Sequence, residues 1–328
     1  MLSSSKFKPA WWLPGPHLQT IWSPLLRRPS ALTRQRERVT TIDGDFIDLD
    51  WYSLQKCHNL ALILHGLTGN SSSHYVTGLQ QALHKIGWDS VAMNFRGCSG
   101  EPNLLPRGYH SGDTNDLAFI IDHLEQNTRY LKIAVIGFSL GGNVLLKWLG
   151  EIQQNCPIIA AVAVSVPFQL DLCAKRMNQG FAKVYRNYFL RDLIHYIEIK
   201  KSSFIAQGAT EHHKALSTLG NIKRYKTFWD FDHNVTAPLH GFNGAADYYH
   251  RSSSKHYLSD IYCPTLVIHS LDDPLISTAC LPKEEDLSEF TEFELTTTGG
   301  HVGFISGEHP MRPNYYLEQR IPQFLGEF

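Results

Sequence analysis

Ser139 lies between two glycines at the junction of two segments of different character. The stretch "IAVIGFSLGGN", residues 133–143, begins as an apolar run typical of a buried strand and continues as the start of a helix. Residues 137–141 therefore fit G-x-S-x-G in the strand–turn–helix context that exposes a serine as a nucleophile. A glycine-rich turn with no chemical role is the alternative, because this short pattern also occurs by chance.

A serine hydroxyl is a weak nucleophile, so a base must accept its proton and a carboxylate must orient that base. Asp272 and Asp273 follow an apolar run in "HSLDDPLIS", and His301 lies in the glycine-bounded segment "TGGHVGF" after the next predicted strand. The chain order serine, acid, histidine, with each residue placed after a strand, predicts that the three side chains leave one edge of a sheet. The sequence therefore predicts a catalytic triad that includes one of the two aspartates.

The two neighbouring aspartates are expected to differ in role. Asp273 precedes Pro274, which favours an extended backbone at the aspartate, and the apolar Leu275 follows. This spacing favours Asp273 as the acid of the triad. Asp272 is then expected to stabilise the turn.

Acyl transfer also requires hydrogen-bond donors for the oxyanion, usually two backbone N–H groups. The amide of Leu140, directly after the serine, is one candidate. The other is Leu67, in the loop "HGLTG" that follows the first buried strand. A plain glycine turn is the alternative for this loop, and we expect His65 to order its backbone rather than to react.

The order of elements predicts the scaffold that would hold these residues. A hairpin around Gly44 precedes the buried strand "NLALILHG", after which helical and strand patterns alternate as far as "CPTLVIHSL". This alternation predicts an α/β fold with a mostly parallel, doubly wound central sheet. The pattern of "FTEFELTTT" predicts a later and more exposed strand, and the closing "NYYLEQRIPQFLGEF" predicts mostly helix.

One long segment interrupts the alternation. Residues 168–263 are rich in Tyr, Phe and His and show no buried strand, so we expect an inserted, helical lid over the active site. Its aromatic side chains would line an apolar acyl pocket or form the core of the lid itself. Residues 1–34 form an N-terminal arm, and residues 1–328 are expected to fold as a single domain.

Composition argues against several other classes of function. The 328 residues carry a net charge of −1, which provides no positive surface for nucleic acid. The six cysteines are scattered without C-x-x-C pairs, so we expect reduced thiols and no zinc or iron–sulfur site. The N-terminus lacks the apolar core of a signal peptide, and no run of about 18 apolar residues occurs. We therefore expect a cytoplasmic protein without stable membrane insertion.

Several longer motifs resemble a known family over nearly the whole chain. The motifs are "PHLQT", "LILHGLTG", "NFRGCSGEPN", "YHSGDTNDL", "GFSLGGN", "VTAPLHGF" and "GGHVGF", and together they resemble the YheT-type branch of the α/β-hydrolase superfamily. The resemblance implies the α/β-hydrolase fold, with Ser139 as nucleophile, Asp273 as acid and His301 as base. It also implies a serine carboxylesterase for short- to medium-chain acyl esters or monoacylglycerols, which needs no metal or organic cofactor.

Three alternatives to this esterase stay open. An acyltransferase would pass the acyl group to an alcohol instead of water, and an inactive hydrolase scaffold would only bind. A peripheral membrane protein would use Trp11, Trp12 and Trp22 with Arg27 and Arg28, although packing of the arm on the domain is favoured. The expected partner is a small-molecule ester with an apolar acyl chain, and the oligomeric state stays open.

Arg96 and Glu101 of the "RGCSGEPN" motif have no catalytic role that follows from their chemistry. They could pair and brace the loop, or they could contact the head group of a substrate. We expect them to pair and to brace the loop.

Overall fold

The computed structural model describes residues 2–27, 32–53 and 57–328. The strands are β1 (Leu2–Ser4), β2 (Gln35–Thr40), β3 (Phe46–Tyr52), β4 (Asn59–Leu64), β5 (Asp89–Asn94), β6 (Lys132–Phe138), β7 (Ala160–Val164), β8 (Thr265–Ser270), β9 (Thr291–Thr296), β10 (Ile305–His309) and β11 (Arg312–Tyr315). The helices are α1 (Pro16–Leu26), α2 (His74–Lys85), α3 (Thr114–Asn127), α4 (Leu140–Ile152), α5 (Leu170–Arg176), α6 (Ala182–Ala206), α7 (Thr210–Ser217), α8 (Phe228–Phe231), α9 (Ala237–His240), α10 (Ala245–Ser252) and α11 (Leu317–Leu325).

Nine of the described strands form one sheet, in the order β1–β9–β8–β7–β6–β4–β5–β3–β2. The β2–β3 and β3–β5 pairs are antiparallel, and the other neighbours are parallel. The predicted hairpin at the start and the mostly parallel central sheet are therefore confirmed.

Helices cover both faces of the sheet because its inner strands are apolar on both sides. In β4, Leu60, Leu62 and Leu64 belong to a core shared with α3 and α4. The alternate residues Ala61 and Ile63 belong to a second core shared with α2 and α11. Successive side chains of a strand point to opposite faces, so each inner strand supports both helical layers. The doubly wound arrangement that the sequence predicts follows from this pattern.

The segment between β7 and β8, all of which the structure describes, contains the helices α5 to α10 and no strand. It has a hydrophobic core of its own, to which Leu190, Ile197, Phe204 and Leu216 contribute. A π-helical turn, Asp232–Thr236, joins α8 to α9. Phe204, Tyr225 and Phe231 are among the aromatic side chains that pack in this core.

The later strand that the sequence predicts is present as β9 (Thr291–Thr296), but the expectation that it would be more exposed is wrong. Phe293 and Glu294 are both buried. β1 pairs in parallel with the outer edge of β9, and Arg320 Nε of α11 donates to the Glu294 carboxylate at 2.7 Å. An alternating pattern reports only polarity, so it did not show that a second strand and an arginine would cover the glutamate.

The C-terminal segment is less helical than the sequence predicts. α11 begins only at Leu317, and Asn314 and Tyr315 belong to the antiparallel β10–β11 hairpin. This hairpin lies outside the large sheet and packs against the N-terminal arm, so its strand conformation depends on a partner more than 280 residues away.

The N-terminal arm packs on the domain through its tryptophans. The rings of Trp12 and Trp22 lie 4.7 Å apart, and Trp12 Nε1 donates to a backbone carbonyl of β10 at 3.0 Å. Trp11 is exposed, although its Nε1 also donates to that strand. Arg27 pairs with a carboxylate of α11, and Arg28 lies outside the described residues. Among the described helices, none has the length and apolar character needed to cross a membrane.

Candidate active site

The backbone of Ser139 adopts a strained, positive-φ conformation in the turn between β6 and α4. Its backbone φ is 51° and its ψ is −115°, in a region that residues with a Cβ rarely adopt. A Cβ at Gly137 would lie 2.4 Å from Gly141 O, and one at Gly141 would lie 2.7 Å from His65 O. The two glycines are therefore required where β6 and α4 meet. The serine stands at the N-terminus of α4, where the helix dipole favours negative charge.

Ser139, His301 and Asp273 form a continuous chain of hydrogen bonds. Ser139 Oγ donates to His301 Nε2 at 2.9 Å, and His301 Nδ1 donates to Asp273 Oδ2 at 2.7 Å. The second oxygen of Asp273 accepts the backbone N–H groups of Leu275 (2.8 Å) and Ile276 (3.2 Å). The carboxylate is buried and held from both sides, so the structure brings together the three residues that the sequence selected.

Asp272 makes different contacts from those of its neighbour. It accepts hydrogen bonds from the hydroxyl of Ser270 and, at 2.9 Å, from the backbone N–H of Gly300. It thereby joins the loop after β8 to the loop that carries His301. This contact stabilises the turn, which is the kind of role expected for Asp272.

The loop of His301 is held by residues that are distant in the sequence. His301 N donates to Thr20 Oγ1 at 2.9 Å, and Val302 N donates to Ser165 Oγ at 3.0 Å. Gly300 has a φ of 63°, and a Cβ there would lie 2.6 Å from Pro16 O of α1. Sequence reasoning did not assign Thr20 a role. The motif "PHLQT", which ends at Thr20, was the available signal.

The side chains of Tyr75, Tyr109 and His65 order the loop after β4. Tyr75 Oη accepts the N–H of Gly66, and Tyr109 Oη accepts the N–H of Thr68, each at 2.9 Å. The N–H of Leu67 lies between these two occupied amides. Neither tyrosine was identified from the sequence, because each lies in a different element from the amide that it binds.

His65 orders the same loop, as expected. Its Nδ1 donates to Gly66 O at 2.8 Å, and its Nε2 accepts the N–H of Phe95 at 3.1 Å. Burial lowers the pKa of His65 to about 4, so the ring is neutral at pH 7. A neutral ring is required for this pattern, because a protonated imidazole has no acceptor nitrogen.

A cavity of about 100 Å³ lies between the sheet edge and the helical segment. Leu67 and Leu140, the two candidates for the oxyanion donors, both line it. Its apolar walls come mainly from the helical segment: Leu193, Ile197, Phe228, Phe231, Val235 and Leu239. Its polar lining includes His110, Asp232, His240 and Tyr248. The cavity therefore connects the candidate catalytic edge with a largely apolar space.

Comparison with known proteins identifies the family. The family described as alpha/beta hydrolase fold matches residues 60–308. The chain belongs to the α/β-hydrolase family. The YheT protein of Escherichia coli (strain K12) is 39% identical over 326 residues, which cover 98% of this chain and 94% of that protein, so this hydrolase lies in the YheT-type branch.

Two further comparisons agree with this assignment. The human protein named phospholipase ABHD3 is 28% identical to this α/β hydrolase over 317 residues, which cover 94% of this chain and 75% of that protein. A solved structure of the Pyrococcus furiosus esterase Pf2001 superposes with a TM-score of 0.58 at 18% identity, covering 100% of this chain and 98% of that one. At that identity the solved structure shows the fold alone.

One group of side chains in the described part of the hydrolase has the composition of a metal site. Atoms of His110, Asp113 and His240 that could bind a metal lie within 4.8 Å of one another. Arg107 Nη1, however, lies 3.4 Å from Asp113 Oδ2, and burial together with the nearby charge of Asp116 raises the pKa of Asp113 to about 7. Burial and the positive charge of Arg107 lower the pKa of His240 to about 3. We therefore interpret His110 and His240 as neutral polar lining of the cavity, beside the positive charge of Arg107, which opposes a cation.

The expected pairing of Arg96 with Glu101 is wrong. Arg96 is buried and donates to Asp116 at 2.7 Å, with Asp43 (3.0 Å) and Asp45 (3.1 Å) on its other side. Glu101 is exposed and pairs instead with Arg38 of β2. Burial explains the difference, because a guanidinium removed from water requires close carboxylates, and two of its three partners, Asp45 and Asp116, are buried with it. Arg96 does brace its loop, against the β2–β3 turn and α3.

Proposed function

We propose that this α/β hydrolase is a serine carboxylesterase that hydrolyses short- to medium-chain acyl esters or monoacylglycerols. The observation that carries the proposal is the hydrogen-bonded chain from Ser139 Oγ through His301 to Asp273. The name of the human relative, a phospholipase, supports an ester of a lipid as the substrate class.

In the first half of the reaction, His301 Nε2 accepts the proton of Ser139 Oγ while the oxygen attacks the ester carbonyl carbon. The carboxylate of Asp273 stabilises the imidazolium through its contact with Nδ1. The N–H groups of Leu67 and Leu140 donate to the oxyanion that forms. The tetrahedral intermediate then collapses, the proton passes from His301 to the leaving oxygen, and the alcohol departs from acyl-Ser139.

In the second half, water takes the place of the alcohol. His301 accepts a proton from the water, whose oxygen attacks the acyl carbon, and the same two amides hold the second oxyanion. Return of the proton to Ser139 Oγ releases the carboxylic acid. Every proton transfer in this scheme passes through His301 Nε2, which is hydrogen-bonded to Ser139 Oγ at 2.9 Å.

The size and lining of the cavity support a short or medium acyl chain. An apolar cavity of about 150 Å³ accommodates one benzene molecule in another protein, and the cavity here measures about 100 Å³. Its apolar walls, supplied by residues such as Leu193, Ile197 and Val235, suit the hydrocarbon part of such an ester. A short acyl chain beside Leu67 and Leu140 would therefore fit without rearrangement of the helical segment, and longer chains would require it to move.

The test is hydrolysis of p-nitrophenyl esters of graded acyl length by the wild type, by Ser139→Ala and by Ser202→Ala. Ser202 is an exposed serine of α6 and serves as the matched control. We expect activity in the wild type and the control, and a loss of about 10⁴-fold or more in Ser139→Ala. Wild-type hydrolysis that persists in Ser139→Ala would contradict the proposal. Formation of ethyl esters in added ethanol, faster than release of acid, would identify an acyltransferase instead.

A further inference from the structure

Four exposed apolar side chains belong to two elements that contact each other beside the candidate active site, α1 and the start of α6. Leu18 belongs to α1, Phe181 directly precedes α6, and Val184 and Tyr188 belong to α6. Their exposed fractions are 42%, 51%, 54% and 52%. Positions 181, 184 and 188 repeat at the spacing of one helix face. We call these four residues the apolar patch. Single exposed apolar residues are ordinary, whereas a contiguous group marks an interaction surface.

The apolar patch adjoins the element that holds the catalytic histidine. The ring of His17, next to Leu18, lies 4.5 Å from the ring of Phe181, and its Nδ1 lies within hydrogen-bond distance (3.0 Å) of Tyr185 Oη. Thr20, one turn further along α1, accepts the backbone N–H of His301. The patch is therefore separated from the His301 loop by a single turn of α1.

The stretch of chain that supplies three residues of the apolar patch is basic, although the protein as a whole has a net charge of −1. Arg191 lies over the ring of Tyr188, with 5.1 Å between its Cζ atom and the ring centroid, and it also pairs with Asp192 at 3.4 Å. Arg186 donates to neutral amide oxygens of Asn178 and Asn187 and forms no ion pair with a carboxylate in the described part of the chain. Residues 171–192 contain five basic and two acidic side chains. Lys175 pairs with Asp171 and Arg191 with Asp192, so the excess positive charge comes from Arg176, Lys183 and Arg186.

We propose that the apolar patch and the basic side chains of residues 171–192 bind the surface of a lipid bilayer that contains anionic lipids. Exposed Phe, Leu, Val and Tyr side chains enter the boundary between head groups and acyl chains, and Lys and Arg bind the anionic head groups. The role of this contact rests on the proposed function, because membrane binding would place the active site next to ester substrates in the bilayer. This surface is separate from the tryptophans of the N-terminal arm.

The test of binding uses the full chain with Ser139→Ala, so that vesicle lipids stay intact. Vesicles of phosphatidylcholine alone and vesicles with about one-third phosphatidylglycerol are floated through a density gradient. We expect binding to the anionic vesicles that weakens in about 1 M salt, where the Debye length falls to about 3 Å. Phe181→Asp combined with Val184→Asp should weaken the partition coefficient about tenfold or more.

The matched control combines Leu131→Asp with Ile86→Asp. These two residues are also exposed, but they lie next to β6 and after α2, at the amino end of the parallel strands. The control should float as the unsubstituted protein does. In enzyme that retains Ser139, the patch variant should keep its rate on a soluble p-nitrophenyl ester and lose rate on esters embedded in anionic vesicles.

Three results would overturn the proposal: no flotation with anionic vesicles, equal flotation of the patch and control variants, or a dimer that the patch substitutions dissociate without any vesicle binding. The last would show that a second copy of the chain covers the patch. Activity on the soluble ester reports on the proposed esterase, whereas flotation of the inactive protein reports only on the surface. Failure of one is therefore distinguishable from failure of the other.

Discussion

Asp273 Oδ2 lies 2.7 Å from His301 Nδ1, while the adjacent carboxylate of Asp272 accepts the backbone N–H of Gly300, next to the same histidine. The two aspartates thus act on one loop from two directions. One contacts the imidazole, and the other holds the backbone that carries it. Substitution can separate these contributions, because a change at Asp273 should affect chiefly the rate and a change at Asp272 chiefly the stability.

Asp273→Asn should lower kcat by about 10³–10⁴-fold, because an amide no longer holds the imidazole in the required tautomer or stabilises its charge. Asp272→Asn should lower kcat less than about tenfold and reduce the free energy of unfolding by about 1–2 kcal/mol, through a weakened bond to Gly300. Ester hydrolysis and urea unfolding of both variants are the measurements. Equal losses of rate would show that the assignment of the acid is incorrect.

His65 should make stability depend on pH. Its pKa is about 4 in the folded protein, below the ordinary value of about 6.5. Between these values the unfolded chain binds a proton that the folded protein does not, so the free energy of unfolding falls as pH falls below 6.5. By pH 5, this proton uptake should have lowered the free energy of unfolding by about 2 kcal/mol.

The measurement for His65 is urea unfolding of the wild type and of His65→Gln at pH 7 and pH 5. Other buried histidines, such as His269 with its pKa lowered to about 4 by burial, add losses of the same sign in both proteins. The difference between the two proteins should therefore shrink at pH 5. Parallel curves would contradict a neutral, hydrogen-bonded His65.

Arg96 and Glu101 should differ strongly in their contribution to stability. Arg96→Met removes the guanidinium that pairs with the buried carboxylates of Asp45 and Asp116 and should cost about 3–5 kcal/mol. Glu101→Gln removes one exposed ion pair with Arg38 and should change the free energy of unfolding by less than about 1 kcal/mol. Urea unfolding at pH 7 measures both. A small effect of Arg96→Met would mean that these carboxylates find other partners.

Val235→Phe should shorten the preferred acyl chain. Val235 is buried in the cavity wall, and a larger side chain there would occupy space that a medium-length chain needs. We expect kcat/KM to fall at least about tenfold for the longer esters and to change little for the acetate. Ile205→Phe, on the exposed side of α6, is the control. A uniform loss at all lengths would show that the acyl chain does not enter this cavity.

Local sequence patterns were sufficient to predict the elements on either side of Ser139. Apolar runs, glycines and helical spacing act within a few residues, so β6, the turn and α4 could be predicted from residues 133–152 alone. The β10–β11 hairpin and the burial of Glu294 could not be predicted in this way. Both depend on partners from the N-terminus or from α11, and local patterns carry no information about such partners.

The sequence by itself determined the residue types, their order and their positions at the ends of strands. That order restricts Ser139, Asp273 and His301 to one edge of the sheet, because parallel strands bring their carboxyl ends together. Only the tertiary structure decided the contacts across long distances: Thr20 on His301, Tyr75 and Tyr109 beside Leu67, and three carboxylates around Arg96. These contacts depend on which elements pack side by side. A polar group that becomes buried there must find a partner, because an unpaired polar group inside the protein is costly.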